Sequence, residues 1–216
     1  MTGTLEPVAD RAPGAPVHPR ALDPATHLIA LYQGEAELTR VAAAFVGAGL
    51  AAGDRVLYLA SGRPLPSARA SLEASNAVAA PAIAAGQLVV RGFSDVYGAP
   101  ASLEPAAAAS GIRAAADLAR ADGFPGLRVA AEMGGFSRVF GSIEKMLAWE
   151  RMASRLQHDD GISSVCQYDR DPLYQIAATL PADGCLILAR PSPQAQRLIG
   201  ILGWQHPQLK IEAAGL

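Results

Sequence analysis

Short, almost wholly apolar runs alternate along this chain with segments long enough for helices, and that alternation leaves few architectures open. Residues 27–33 (HLIALYQ), 55–60 (RVLYLA), 87–91 (QLVVR), 127–133 (LRVAAEM), 162–168 (ISSVCQY) and 185–189 (CLILA) read as strands. Residues 35–48, 66–74, 104–121, 142–156 and 173–180, with a short piece at 81–85, read as helices. Runs that are apolar at consecutive positions, such as Val56-Leu57-Tyr58-Leu59, suit strands buried on both faces. Helices between successive strands give parallel pairing through right-handed crossovers. The expectation is an α/β fold: a doubly wound, mostly parallel sheet with helices on both faces. Gly49 and Gly53 are expected to close the first helix, and Gly123 with Pro125 to stop the long one.

Half of the 216 residues are apolar, enough for one core, so a single folded unit is the default. Residues 1–25 carry Pro7, Pro13, Pro16, Pro19 and Pro24 and read as a disordered arm without a secretory apolar segment. Residues 26–190 form the expected α/β domain, and 191–216 a C-terminal extension with a helix at 194–204 and a candidate short strand at 209–211. With a net charge of −2 and scattered arginines, direct binding to nucleic acid or to an anionic membrane is not expected. The longest apolar stretch, 41–52, is too short to span a bilayer, and a cytoplasmic location is expected. Cys166 and Cys185 fall in predicted strands without a Cys-x-x-Cys spacing and read as reduced core thiols. No metal and no cofactor is implied.

In an open parallel sheet the ligand crevice lies beyond the carboxyl ends of the strands. The residues placed there are Tyr32 and Gln33, Ser61, Phe93 and Ser94, Glu132 and Met133, and Tyr168 and Asp169. Phe136 and Arg138 after the Gly134-Gly135 turn, and Trp149 on the following helix, complete the candidate binding set. Phenols, a thioether, an amide and one carboxylate suit a small organic molecule with one or two polar handles better than a phosphate. Glu132 has two readings. It would hold a ligand or serve as a catalytic general base if burial raises its pKa; as a structural residue it would cap the Gly134-Gly135 turn or pair with Arg138.

His27 begins its strand, about 20 Å from the far end at 3.3 Å per residue, so a structural hydrogen bond is its expected role. Met146, Trp149, Met152 and Ala153 recur at helical spacing and read as core, with Trp149 able to wall an apolar pocket.

An acid closing a strand before a Gly-rich turn, as Glu132 does, is also where RecA-like nucleotide hydrolases carry the acid that organises their metal. The matching phosphate loop is missing. After the first strand comes Gly34-Glu35-Ala36-Glu37-Leu38-Thr39, with one glycine, no lysine and two carboxylates. A triphosphate needs converging N–H groups and a countercharge, so a working ATPase is the least favoured reading.

These residues resemble a known family. The run 27–32, Phe45-Val-Gly-Ala-Gly-Leu50 before Gly53-Asp54-Arg-Val-Leu-Tyr58, Gly86-Gln87-Leu88, residues 126–133, Trp149-Glu150 and Val165-Cys-Gln-Tyr-Asp169 are similar to the MEDS domain, the sensory domain of methanogen and methylotroph regulators of the DcmR type. The likeness covers about residues 26–190. It implies a degenerate RecA-like fold without a phosphate loop, a small organic ligand, and signalling through a regulator, kinase or anti-sigma type of partner. Family members often carry an aromatic soon after the Glu-Met pair, where this chain has Gly134-Gly135-Phe136, and no output domain is expected within these residues. The reading that follows is a sensor signalling through a separate protein. Its rival is an enzyme using Glu132 with Tyr32 or Tyr168 for proton transfer on a secondary metabolite, such as a cyclisation or isomerisation.

Overall fold

The structure is a computed structural model in which residues 27–32, 34–97, 104–134, 143–169, 186–187 and 209–210 are described. Five parallel strands, β1 (His27–Tyr32), β2 (Arg55–Ala60), β3 (Leu88–Gly92), β4 (Leu127–Glu132) and β5 (Ser163–Asp169), form one sheet in the order β1-β5-β4-β2-β3. The helices are α1 (Gly34–Ala51), α2 (Leu65–Ser75), α3 (Ala79–Ala84), α4 (Phe93–Tyr97), α5 (Pro105–Ala121) and α6 (Ile143–Asp160). Two short strands, β6 (Leu186–Ile187) and β7 (Leu209–Lys210), pair in parallel apart from the main sheet.

Crossover handedness decides which helix covers which face. From β1 to β2 and on to β3 the chain moves toward one edge, and from β3 through β4 to β5 it moves back. With right-handed connections, opposite directions of travel put the connecting helices on opposite faces. The cores follow this division. On one face Ala42, Phe45, Val46 and Leu50 of α1 and Ala68 and Leu72 of α2 pack on Val56, Tyr58, Ala130 and Val165. On the other, Ala108, Ile112 and Ala116 of α5 and Trp149, Ala153 and Leu156 of α6 pack on Leu57, Leu59, Val129, Ala131 and Cys166. Alternate strand residues therefore serve different cores, as the pleat requires. The expected doubly wound α/β architecture is the one observed.

Helix α1 differs from its expected end. Gly49 does not close it but lies inside it, buried, where a Cβ would sit 2.7 Å from Arg128 Cδ and 2.8 Å from Val56 Cγ2. That glycine lets the helix approach the sheet closely; Gly53, at φ +82°, follows the end of the helix at Ala51. Helix α6 runs to Asp160, beyond the expected 156. The N-terminal arm, Gln33, Phe136, Arg138, and the helices expected at 173–180 and 194–204 lie outside the described residues. No helix among the described residues is long and apolar enough to cross a membrane.

Candidate functional site

Neighbouring strands β2 and β4 lead to helices on opposite faces, which makes the gap between their carboxyl ends the topological switch point of this sheet. Tyr58 stands opposite Ala130 in register, and Glu132 follows two residues later on the same face. Both Tyr58 and Glu132 are fully buried. Glu132 Oε1 accepts hydrogen bonds from the Tyr58 hydroxyl and from Arg63 Nε, the latter at 2.8 Å. Its Oε2 accepts from the Ser61 backbone N–H at 3.0 Å, and the Ser61 hydroxyl donates to the Glu132 backbone carbonyl. The crevice is thus tied shut by the protein's own groups.

Arg63 extends this network to two helices. Its Nη1 donates to Glu35 Oε1 of α1 at 2.9 Å and to Ser71 Oγ of α2 at 3.1 Å, and its Nη2 to the Tyr58 oxygen at 3.2 Å. Burial and then the Glu132 charge push the Tyr58 phenol well above its ordinary pKa. Burial opposes the Arg63 charge, but the Glu132 carboxylate and the Tyr58 oxygen together outweigh it and raise the guanidinium further. Two carboxylates, Glu35 and Glu132, face this one guanidinium.

Gln167 of β5 lies between Ala30 of β1 and Glu132 of β4 in register, on the α1 face that Val165 shares. It is wholly buried, and neither its amide oxygen nor its nitrogen has a hydrogen-bond partner among the described residues. Tyr32, also buried, follows Ala30 on that face. Its phenol is pushed up to about 12 by burial, then by Asp169 and Glu132, against the opposing effect of Arg63. At neutral pH it therefore keeps its proton and offers an O–H donor. Beside this edge an open groove of about 730 Å³ runs between α1 and α2, with Ala36, Ala43 and Ala74 in its lining and Glu35 and Ser71 shared with the Arg63 network.

The opposite face carries a second polar cluster. Glu150 of α6 accepts a hydrogen bond from the Tyr168 hydroxyl at Oε1, and its Oε2 lies 2.9 Å from His27 Nε2. His27 Nδ1 is 2.9 Å from Ser154 Oγ, so the histidine does make the structural contact expected of it. Burial and then the Glu150 charge raise both the Tyr168 phenol and the Cys166 thiol well above their ordinary values.

With this geometry in hand, the decisive comparison is that the MEDS family model, the methanogen/methylotroph, DcmR sensory domain, matches residues 26–179. The chain belongs to the MEDS family. Comparison with curated proteins gave no significant match. The sheet of this MEDS domain divides the residues that the sequence places at strand ends. Tyr32, Ser61 and Glu132 come together on the α1/α2 side, whereas Phe93, Met133, Trp149 and Tyr168 pack on the α5/α6 side. Glu132 and Met133 are consecutive, as are Gln167 and Tyr168, and a period of two sends each pair to opposite faces. Asp169 ends β5 opposite Tyr32. Gln33, Phe136, Arg138 and the side chain of Ser94 lie outside the described residues. Among those described, the cation that pairs with Glu132 is Arg63.

Tyr58, Arg63, Gln167 and Glu150 are the residues that sequence reasoning passed over. Arg63 had a signal, since it follows Ser61-Gly62 at the end of β2, where a strand-end cation meets a strand-end acid. A single Gln inside an apolar strand was the signal for Gln167.

Proposed function

We propose that this MEDS domain senses a small, largely apolar and uncharged organic molecule at the carboxyl edge of β1, β5 and β4, under α1. It acts in the cytoplasm and passes its state to a separate partner protein of regulator, kinase or anti-sigma type. The carrying observation is Gln167. A buried amide without a partner costs about 1–3 kcal/mol, and a bound hydroxyl or carbonyl would supply what it lacks. The protonated Tyr32 phenol adds a donor nearby. An anion is disfavoured because Arg63 is already committed to Glu132 and Glu35. Arg63 also gives the site a mechanical link, since it bonds β4, α1 and α2 together and a ligand that shifts the Glu132 edge would move the groove between those helices.

Acid–base catalysis by Glu132 has less support. Three donors already engage the carboxylate, and of its two suggested partners Tyr168 lies across the sheet while Tyr32 shares the Glu132 side. Native mass spectrometry of the protein as purified tests the reading: a small co-purified molecule should appear and be lost on denaturation. No bound molecule, together with no melting shift from a panel of small alcohols and ketones, would count against it.

A further inference from the structure

Beneath α6, on the face away from Glu132, three buried side chains from three elements converge. His27 of β1, Glu150 of α6 and Cys166 of β5 each offer a donor atom, and these atoms lie within 4.8 Å of one another. We propose that they form a binding site for one divalent transition-metal ion of the zinc class, held by His27 Nε2, Glu150 Oε2 and Cys166 Sγ.

The hydrogen bonds around the cluster accommodate the metal-binding tautomer. Ser154 Oγ donates to the Glu150 backbone carbonyl at 3.1 Å, which uses its only proton. With that bond kept, it accepts from the His27 Nδ1–H, and the lone pair of the neutral ring is then on Nε2. That lone pair faces Glu150 Oε2 at 2.9 Å, yet neither atom has an aligned hydrogen-bond partner among the described residues. In that tautomer two buried acceptors face each other, and either a proton or a metal ion between them relieves the repulsion. An outer ring nitrogen bonded to a fixed acceptor is also the arrangement that orients metal-ligating histidines.

The carboxylate is also oriented by a neighbour. The Tyr168 hydroxyl bonds Glu150 Oε1 and leaves Oε2 for the cluster. One nitrogen, one carboxylate oxygen and one thiolate suit a borderline-soft ion rather than magnesium or calcium, which take oxygen ligands. The charges balance as well: a carboxylate and a thiolate neutralise a divalent ion in a buried setting, and the thiol proton leaves to solvent on binding. A tetrahedral ion about 2.0–2.3 Å from each donor wants the donors about 3.3–3.8 Å apart, within reach of side-chain rotation. Three protein ligands leave one coordination position open.

Cobalt titration of the metal-stripped full chain, followed by absorption, tests this. One equivalent should bind with a thiolate-to-cobalt charge-transfer band and the visible bands of a tetrahedral site, both displaced by zinc. Cys166→Ser should abolish the charge-transfer band. Ser154→Ala, which removes only the acceptor for the His27 Nδ1–H, should weaken binding by about 10–100-fold. Should Cys166→Ser fail to fold, the wild type still decides: zinc should raise its melting temperature and protect Cys166 from alkylation, located by peptide mass mapping, and chelator should reverse both. Absence of the charge-transfer band in the wild type, its persistence in folded Cys166→Ser, or zinc without effect on melting and alkylation would overturn the proposal and leave a plain His27–Glu150 ion pair.

Discussion

Arg63 Nε and Glu132 Oε1 meet at 2.8 Å across the ends of β2 and β4, with the two side chains only 11% and 2% exposed. In such a buried pair the loss of one partner is far worse than the loss of both, because the survivor keeps its desolvation cost without its countercharge. Arg63→Met should therefore destabilise the fold by about 3–5 kcal/mol, and adding Glu132→Gln should recover much of that loss. Urea denaturation of the two variants and the wild type measures it. A single-mutant loss below about 1 kcal/mol would mean that water reaches the pair.

The tyrosines set the alkaline limit. Tyr32 is pushed up to about 12 from its ordinary value of 10.0, and Tyr58 and Tyr168 are also raised. Between those two pH values the unfolded chain has released the Tyr32 proton and the folded chain has kept it, so the folded state binds more protons and stability falls as pH rises. Below about pH 10 this contribution is fully present. Tyrosinate absorption should show these three phenols still protonated in the folded protein at about pH 11, with ionisation coinciding with unfolding. Their free titration in a protein with native circular dichroism would contradict the burial described here.

Gly49 tests the close approach of α1 to the sheet. Alanine should favour a helix by about 1 kcal/mol, but its Cβ would meet Val56 Cγ2 at 2.8 Å on a buried strand and Arg128 Cδ at 2.7 Å beside its bond to Asp54. Overpacking of this kind costs about 1–3 kcal/mol, so Gly49→Ala should be net destabilising. Thermal unfolding of the variant checks the sign.

Gln167 should trade stability against binding. Gln167→Leu removes two unpartnered buried polar atoms at similar volume, and the ligand-free variant should gain about 1 kcal/mol or more. Any small molecule that copurifies with the wild type should be missing from it. A variant that is less stable and still retains the molecule would show that the amide has a structural partner and no part in the site.

By itself the sequence determined the βα alternation, the parallel doubly wound sheet and the lack of a phosphate cradle at Gly34. Each is written in local periodicity or in a few adjacent residues, which need no knowledge of distant parts of the chain. It also carried the motifs of the MEDS family over the residues that the family model matches. Tertiary structure decided what those motifs touch. Glu132 could be placed at a strand end from sequence, but Arg63, 69 residues away, became its partner because β2 and β4 are neighbours in space. His27 and Ser154 are 127 residues apart, and their meeting over Cys166 depends on β1 joining the sheet beside β5, with α6 lying across that face. Which strand-end residues share a face was settled by the pleat and the strand order, because a one-residue step along a strand reverses the side and long-range pairing leaves no local trace.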